Sequence, residues 1–383
     1  MTLSHLVEGL ARRGHELAVF RPRQAREQKR LARSAAHAAQ ETTANTTPIS
    51  AEARPAFAEH LFRGFPIPGY PLLRLGLPAA HTLKKMWSHQ RPDLVHVATE
   101  GPLGYSAVVA ARSLRIPVTS SFHTNFHQYS ADYGFPFLAH GALRYLRHFH
   151  NRTRATLSPT DALNLELERQ GFRNLRLLSR GVNTRVFSPA HRSEALRAQL
   201  GLKPDDLLVI HVSRLAPEKN YPLLFEAFRA VQAVLPSAQL VVVSDGPLRK
   251  KLTRQHPYVQ FTGFLGRAYL AEHYASADLF LYPSLSETFG NVVTEAMASG
   301  LPVVGFDYAA TARFIRKGVN GWSVPFNDRD AFICASVALA QDRGALRACL
   351  GAAARATAET ISWEFVIAKL EADFRELSVS SSS

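Results

Sequence analysis

Two glutamates, Glu287 and Glu295, stand with seven residues between them in SETFGNVVTEAMASGLPVV, residues 286–304. The segment around them reads as a buried strand over 279–282, a Pro-Ser turn, and a loop carrying Glu287. A helix opening near Gly290 bears Glu295 about one turn in. A Gly-Leu-Pro break and a second buried strand over 302–306 follow. Such a strand–loop–helix–strand unit belongs to a parallel sheet with crossover helices. Both carboxylates then reach a ligand at the loop. The free backbone N–H groups of Phe289, Gly290 and Asn291 face the same place, where the helix dipole favours an anion. Carboxylates that accept hydroxyls, beside N–H groups that hold a phosphate, suit a nucleotide-sugar. Taken as isolated residues, the two glutamates read rather as an ordinary acidic turn and a solvated helical side chain.

A second group lies upstream. The near-continuous apolar run over 207–212 ends in Ser213-Arg214-Leu215-Ala216-Pro217-Glu218-Lys219-Asn220. Arg214 and Lys219, just past a strand end, place two cations on one diphosphate. Breaking a sugar–phosphate bond develops negative charge on the leaving oxygen, and one fixed donor there is worth roughly 3–4 kcal/mol. Solvated loop charges are the alternative. In the first half a strand over 117–122 delivers His123-Thr124-Asn125 at its carboxyl end, where ligands of open α/β sheets bind. A lone histidine beside a strand is otherwise a satisfied core or surface group. His123 and His127 have metal-pair spacing with no third ligand in view, so no metal is expected.

The pattern as a whole resembles the family-4 retaining glycosyltransferases of the two-domain GT-B fold. The resemblance rests on Glu287, Phe289-Gly290-Asn291 and Glu295-Ala296-Met297-Ala298, with Arg214 and Lys219 in a closely similar motif. It implies two doubly wound α/β domains facing a cleft, with the donor in the second and the acceptor in the first. Diphosphate binding then falls to Arg214 and Lys219, the ribose hydroxyls to Glu295, and the transferred sugar's hydroxyls to Glu287. The base falls to the loop Gly263-Phe264-Leu265-Gly266, with Leu265 as its representative and contact mostly through backbone. His123 faces the donor sugar across the cleft. Asp245-Gly246-Pro247 resembles the next donor-side loop, with Ser244 where a glycine is commoner; Asn183 replaces a common aspartate. The implied reaction moves a hexose from a UDP- or GDP-linked sugar with retention, by front-face displacement, without a further cofactor.

VHVATEGPLG (95–104) and SSFHTNFHQYSADYG (120–134) resemble the branch that glycosylates diacylglycerol lipids, including the mannosyl-, glucosyl- and sulfoquinovosyl-lipid transferases. The acceptor is then a lipid or glycolipid, or alternatively a soluble or polysaccharide one. An aromatic entry and a helix within 133–157, with Leu143, Leu146 and Phe149 on one side and Arg144, Arg147, His148 and Arg152 on the others, suit docking on an anionic membrane surface. A core helix with a basic rim fits the same pattern. The expected location is cytoplasmic, peripheral on the inner face of the cytoplasmic membrane.

The elements that must position these groups recur along all 383 residues, long enough for two domains. The first is bounded at 1–178, the second at 179–361, with a helix over 362–378 returning to the first and a serine-rich tail over 379–383. Residues 179–183, Ser-Arg-Gly-Val-Asn, form the hinge. The opening helix over 2–13 precedes a strand over 16–20. Relatives of the family begin with an earlier strand and a glycine-rich turn, so the resemblance places an in-frame segment of that kind ahead of Met1. Segment 21–50 is basic and then low in complexity, expected as a surface loop, and 62–78 holds a strand at best.

Net charge is +14, and residues 1–178 carry 23 Lys+Arg against 12 Asp+Glu. That sign seeks nucleic acid, anionic lipid or an acidic substrate. Helix-turn-helix, zinc and ribonucleoprotein signatures are lacking, which argues against nucleic acid as a partner. No run of about 18 apolar residues exists, the length a spanning helix needs. Cys334 and Cys349 are expected as two buried, reduced thiols. A glycoside hydrolase using Glu287 and Glu295 leaves the basic pair without a purpose. An epimerase of the same fold would lack the glutamate pattern. Asp328-x-Asp330 opens a helix and reads as a cap.

Overall fold

The computed structural model describes residues 2–24, 57–67, 70–122, 136–342 and 344–379. In the first half, β1 (Ala18–Pro22) runs parallel to β2 (Ala58–Phe62), and β3 (Gly64–Ile67) forms an antiparallel pair with β4 (Tyr70–Gly76). Strands β5 (Val95–Val97), β6 (Val118–Ser121), β7 (Ala155–Ser158) and β8 (Leu175–Leu177) make a parallel sheet in that order. The Pro- and Gly-rich stretch 62–78, expected to hold one strand at best, contains both β3 and β4. Proline is tolerated there because, among the described residues, β3 and β4 pair only with each other, so each has an edge that needs no ladder donor.

In the second half, β9 (Leu208–Val212), β10 (Gln239–Val243), β11 (Gln260–Gly263), β12 (Leu279–Tyr282), β13 (Val303–Phe306) and β14 (Trp322–Val324) form one sheet. Its order is β11-β10-β9-β12-β13-β14, and every pairing is parallel. The order reverses direction between β9 and β12. The apolar runs that predicted these strands are continuous because both faces are buried. Leu208, Ile210, Val212, Phe280 and Tyr282 pack into one cluster, while Val209, Leu240, Val242, Leu279 and Leu281 pack into another. Helices cover both faces, and the architecture is that of two doubly wound α/β units.

Two crossings join the halves. Residues 178–183 run beside 359–363, where the Val182 N–H donates to the Ile361 carbonyl at 2.9 Å. The final helix, Trp363–Val379, then packs Val366, Ile367 and Leu370 against Leu6 and Leu10 of the opening helix Thr2–Arg12. A third contact between the halves is the ion pair of Arg313 with Asp161, at 2.6 Å.

Two expectations are corrected. Cys334 and Cys349 are exposed rather than buried, because their helices turn Phe332, Leu339 and Leu350 inward instead. In helix Pro136–His150 the side bearing Leu146 and Phe149 is buried in the protein core, 3% and 0% exposed, and so is closed to any membrane. His140, Gly141, Arg144, Tyr145, Arg147 and His148 are exposed on that helix. Asp328 accepts from the Ala331 N–H at 3.0 Å, a helix cap.

Candidate active site

The reversal between β9 and β12 opens a crevice at the carboxyl ends of the two strands, the place where open α/β sheets bind ligands. The loop after β9 carries Arg214 and Lys219 into it. Beneath that loop, buried His211 joins the Leu281 carbonyl through Nδ1 at 2.8 Å and the Ser213 hydroxyl through Nε2 at 2.7 Å. Burial pushes its pKa down to about 4, so the ring is neutral and serves as a strut. Gly246 holds the other flank, since a Cβ there would stand 2.5 Å from the Leu215 carbonyl oxygen. Only a residue without a side chain lets segment 244–247 lie so close to the basic loop.

Lys219 is buried, and its ammonium donates to the Ser286 carbonyl at 2.9 Å, the Ser284 hydroxyl at 3.3 Å and the Glu287 carboxylate. Tyr282, at the end of β12, also donates to Glu287, and burial beside that carboxylate raises its own pKa well above the usual phenol range. The Tyr308 hydroxyl fixes the Glu287 carbonyl at 3.0 Å. Arg214 pairs with the buried Glu218 at 2.5 Å. The lysine and the glutamate assigned from sequence to different parts of a ligand are therefore bonded to each other.

Phe289 is fully buried, and Gly290 takes a left-handed conformation, φ +91°, as it starts the helix Asn291–Ala298. Among the described residues, the N–H groups of Phe289, Gly290 and Asn291 find no backbone acceptor. Beside the Lys219–Glu287 pair, such free N–H groups at a helix entry are an arrangement that can hold an anion. One turn on, Glu295 accepts from the Tyr274 hydroxyl at 3.3 Å. Burial pushes its pKa up to about 7, against the opposing effects of Tyr274 and Arg267. The side chain of Leu265 is packed against the core, while neighbouring Phe264 is 79% exposed.

On the opposite side, β6 ends in buried Ser121 and Phe122. His123 and His127 lie outside the described residues. Glu100, at the carboxyl end of β5, is buried against His150 at 3.3 Å, and Tyr145 donates to its carbonyl at 2.5 Å. His150 in turn meets the Ser120 hydroxyl at 2.9 Å, locking helix Pro136–His150 to the sheet. Glu100, Tyr274 and Tyr282 escaped the sequence reading because their partners lie at least five residues away and only folding joins them. Among the described residues no group of three His, Cys, Asp or Glu side chains is placed to hold a metal ion.

Residues 1–186 match the profile of Glycosyltransferase Family 4 and residues 206–342 that of Glycosyl transferases group 1. The chain is 34% identical over 320 residues to the sulfoquinovosyl transferase of Arabidopsis thaliana, covering 80% of this chain and 61% of that protein. It thus spans about three fifths of that relative's length. Against the GDP-mannose-dependent alpha-mannosyltransferase of Mycolicibacterium smegmatis it is 35% identical over 299 residues, 78% of this chain and 77% of the relative. Among solved structures, Anabaena HepE in complex with UDP and glucose superimposes with a TM-score of 0.72 at 18% identity, covering 98% of this chain and 95% of that one. That likeness establishes the fold as GT-B.

Proposed function

The chain belongs to glycosyltransferase family 4, and from that premise we propose that it transfers a hexose from a nucleoside-diphosphate sugar to a lipid acceptor with retention of configuration. The single observation that carries the donor half is the convergence of Lys219, Glu287 and three N–H groups at the switch point between β9 and β12. In the proposed complex the N–H groups and Arg214 hold the diphosphate, and Glu295 accepts from the ribose. The Lys219 ammonium stays fixed by Glu287 and Ser286 while it faces the leaving oxygen. A cation that needs no reorganisation as charge develops lowers the barrier more than one drawn in from solvent. Glu287 keeps its second oxygen for a hydroxyl of the transferred sugar, and the family resemblance assigns His123 to the acceptor side.

The lipid acceptor is supported by the resemblance of 95–104 and 120–134 to the diacylglycerol-glycosylating branch. No helix among the described residues is long and apolar enough to cross a membrane. With Leu146 and Phe149 buried, docking of this helix at the inner membrane face rests on charge, through the exposed Arg144 and Arg147. Calorimetric titration with UDP, GDP and ADP tests the donor site. Saturable binding of one of them, abolished in Glu295→Ala, is the expected result. Absence of binding by the wild type to all three would overturn it.

A further inference from the structure

Arg180 stands where the two halves meet. With Ser121, Phe122, Leu157 and Pro159 it lines a hollow at the carboxyl ends of β6 and β7. Its guanidinium carbon lies 5.7 Å from the centroid of the Phe289 ring, on the donor side. Burial lowers its pKa, and the negative charge of Glu287 opposes that shift. Among the described residues no carboxylate bonds to it. The other two cations of the crevice differ: Arg214 is paired with Glu218 and Lys219 with Glu287.

The backbone beneath Arg180 is held in place. A Cβ on Gly181 would stand 2.6 Å from the Trp363 backbone nitrogen, and Val182 is bonded to Ile361. Both crossings of the chain thus clamp this point. A guanidinium drawn away from water without an anion is costly, and a phosphoryl group is an anion that its planar fork fits.

We infer that Arg180 is a third cation of the donor site, reaching from the hinge to the terminal phosphate of a bound nucleoside diphosphate. The inference rests on the donor reading proposed above. The phosphate would lie between Arg180 on one side and the N–H groups of Phe289, Gly290 and Asn291 on the other. Its arrival supplies the anion that Arg180 otherwise lacks, and ties the hinge to the donor loop.

The test is calorimetry on the full chain with UDP and GDP, each against its monophosphate, for the wild type, Arg180→Gln and Arg180→Lys. For the nucleotide the wild type binds, Arg180→Gln should weaken the diphosphate at least tenfold and leave the monophosphate unchanged. Arg180→Lys should recover part of the loss, and its selectivity stands as the readout should the glutamine variant fold poorly. Equal loss for both nucleotides, or none for either, overturns the inference. So does an intact diphosphate affinity with a raised KM for an anionic acceptor, which would place the anion on the acceptor. Wild-type chain that binds no nucleoside diphosphate sinks the donor reading itself; wild-type binding that Arg180→Gln leaves unchanged sinks only the role of Arg180.

Discussion

Glu295 is the residue whose protonation should set how tightly a nucleotide binds. Its pKa of about 7 reflects burial beside Tyr274, and a ribose hydroxyl needs the carboxylate as its acceptor. Affinity should therefore fall about tenfold for each pH unit below 7, and Glu295→Gln should flatten the profile, as read by calorimetry at fixed ionic strength. Stability carries the opposite sign. The folded protein keeps this proton at pH values where the unfolded chain, near the ordinary 4.5, has released it. The contribution is thus fully present below 4.5 and is lost as pH rises through about 7. Glu295→Gln should melt higher than the wild type at pH 8, with the gap closing in acid. Lys219 is the complementary case. Lys219→Ala removes the fixed cation and leaves Glu287 with hydroxyl partners from Tyr282 and Ser284, and kcat should fall about 100- to 1000-fold. A smaller loss in single-turnover assays would place the lysine away from the leaving oxygen.

At the scale of elements, the helix entry at Gly290 depends on backbone conformation alone. A Cβ there would meet nothing nearer than 3.6 Å, yet φ is +91°. Gly290→Ala should cost about 1–2 kcal/mol from the left-handed geometry, and weaken diphosphate binding by tilting the three N–H groups. Unchanged thermal unfolding would contradict that geometry. Much of this element was legible in advance. The run Leu279–Tyr282 is apolar throughout because both faces of β12 are covered, and the Phe-Gly-Asn turn announces a helix start. The hairpin of β3 and β4 was obscured by its prolines, which disfavour a central strand but not an edge. The apolar side of helix Pro136–His150 was visible, but its destination was not. Periodicity shows that Leu146 and Phe149 share a face; only the sheet and Phe122 beneath it decide that the face is internal. The Lys219–Glu287 bond was equally invisible, since it joins loops 68 positions apart.

For the whole molecule, the excess charge of the first half becomes a physical surface once that helix is seated in the core. Arg144, Arg147 and His148 face outward on it, while Leu146 and Phe149 cannot leave the interior. Attraction to an anionic leaflet then comes from basic residues near the surface, about 1 kcal/mol each, and decays within a Debye length. An inserted apolar helix would hold on in high salt; this surface should let go. The double substitution Arg144→Gln and Arg147→Gln should reduce partitioning onto vesicles containing an anionic phospholipid by about 2 kcal/mol, or roughly 30-fold. Neither arginine lines the donor crevice, so affinity for the nucleotide should stay as in the wild type. Flotation of both proteins across a salt series measures the effect. If wild-type binding survives about 0.5 M salt, where screening reaches within a few ångströms, or ignores lipid charge, the attraction is not carried by these arginines and the proposed docking face is wrong.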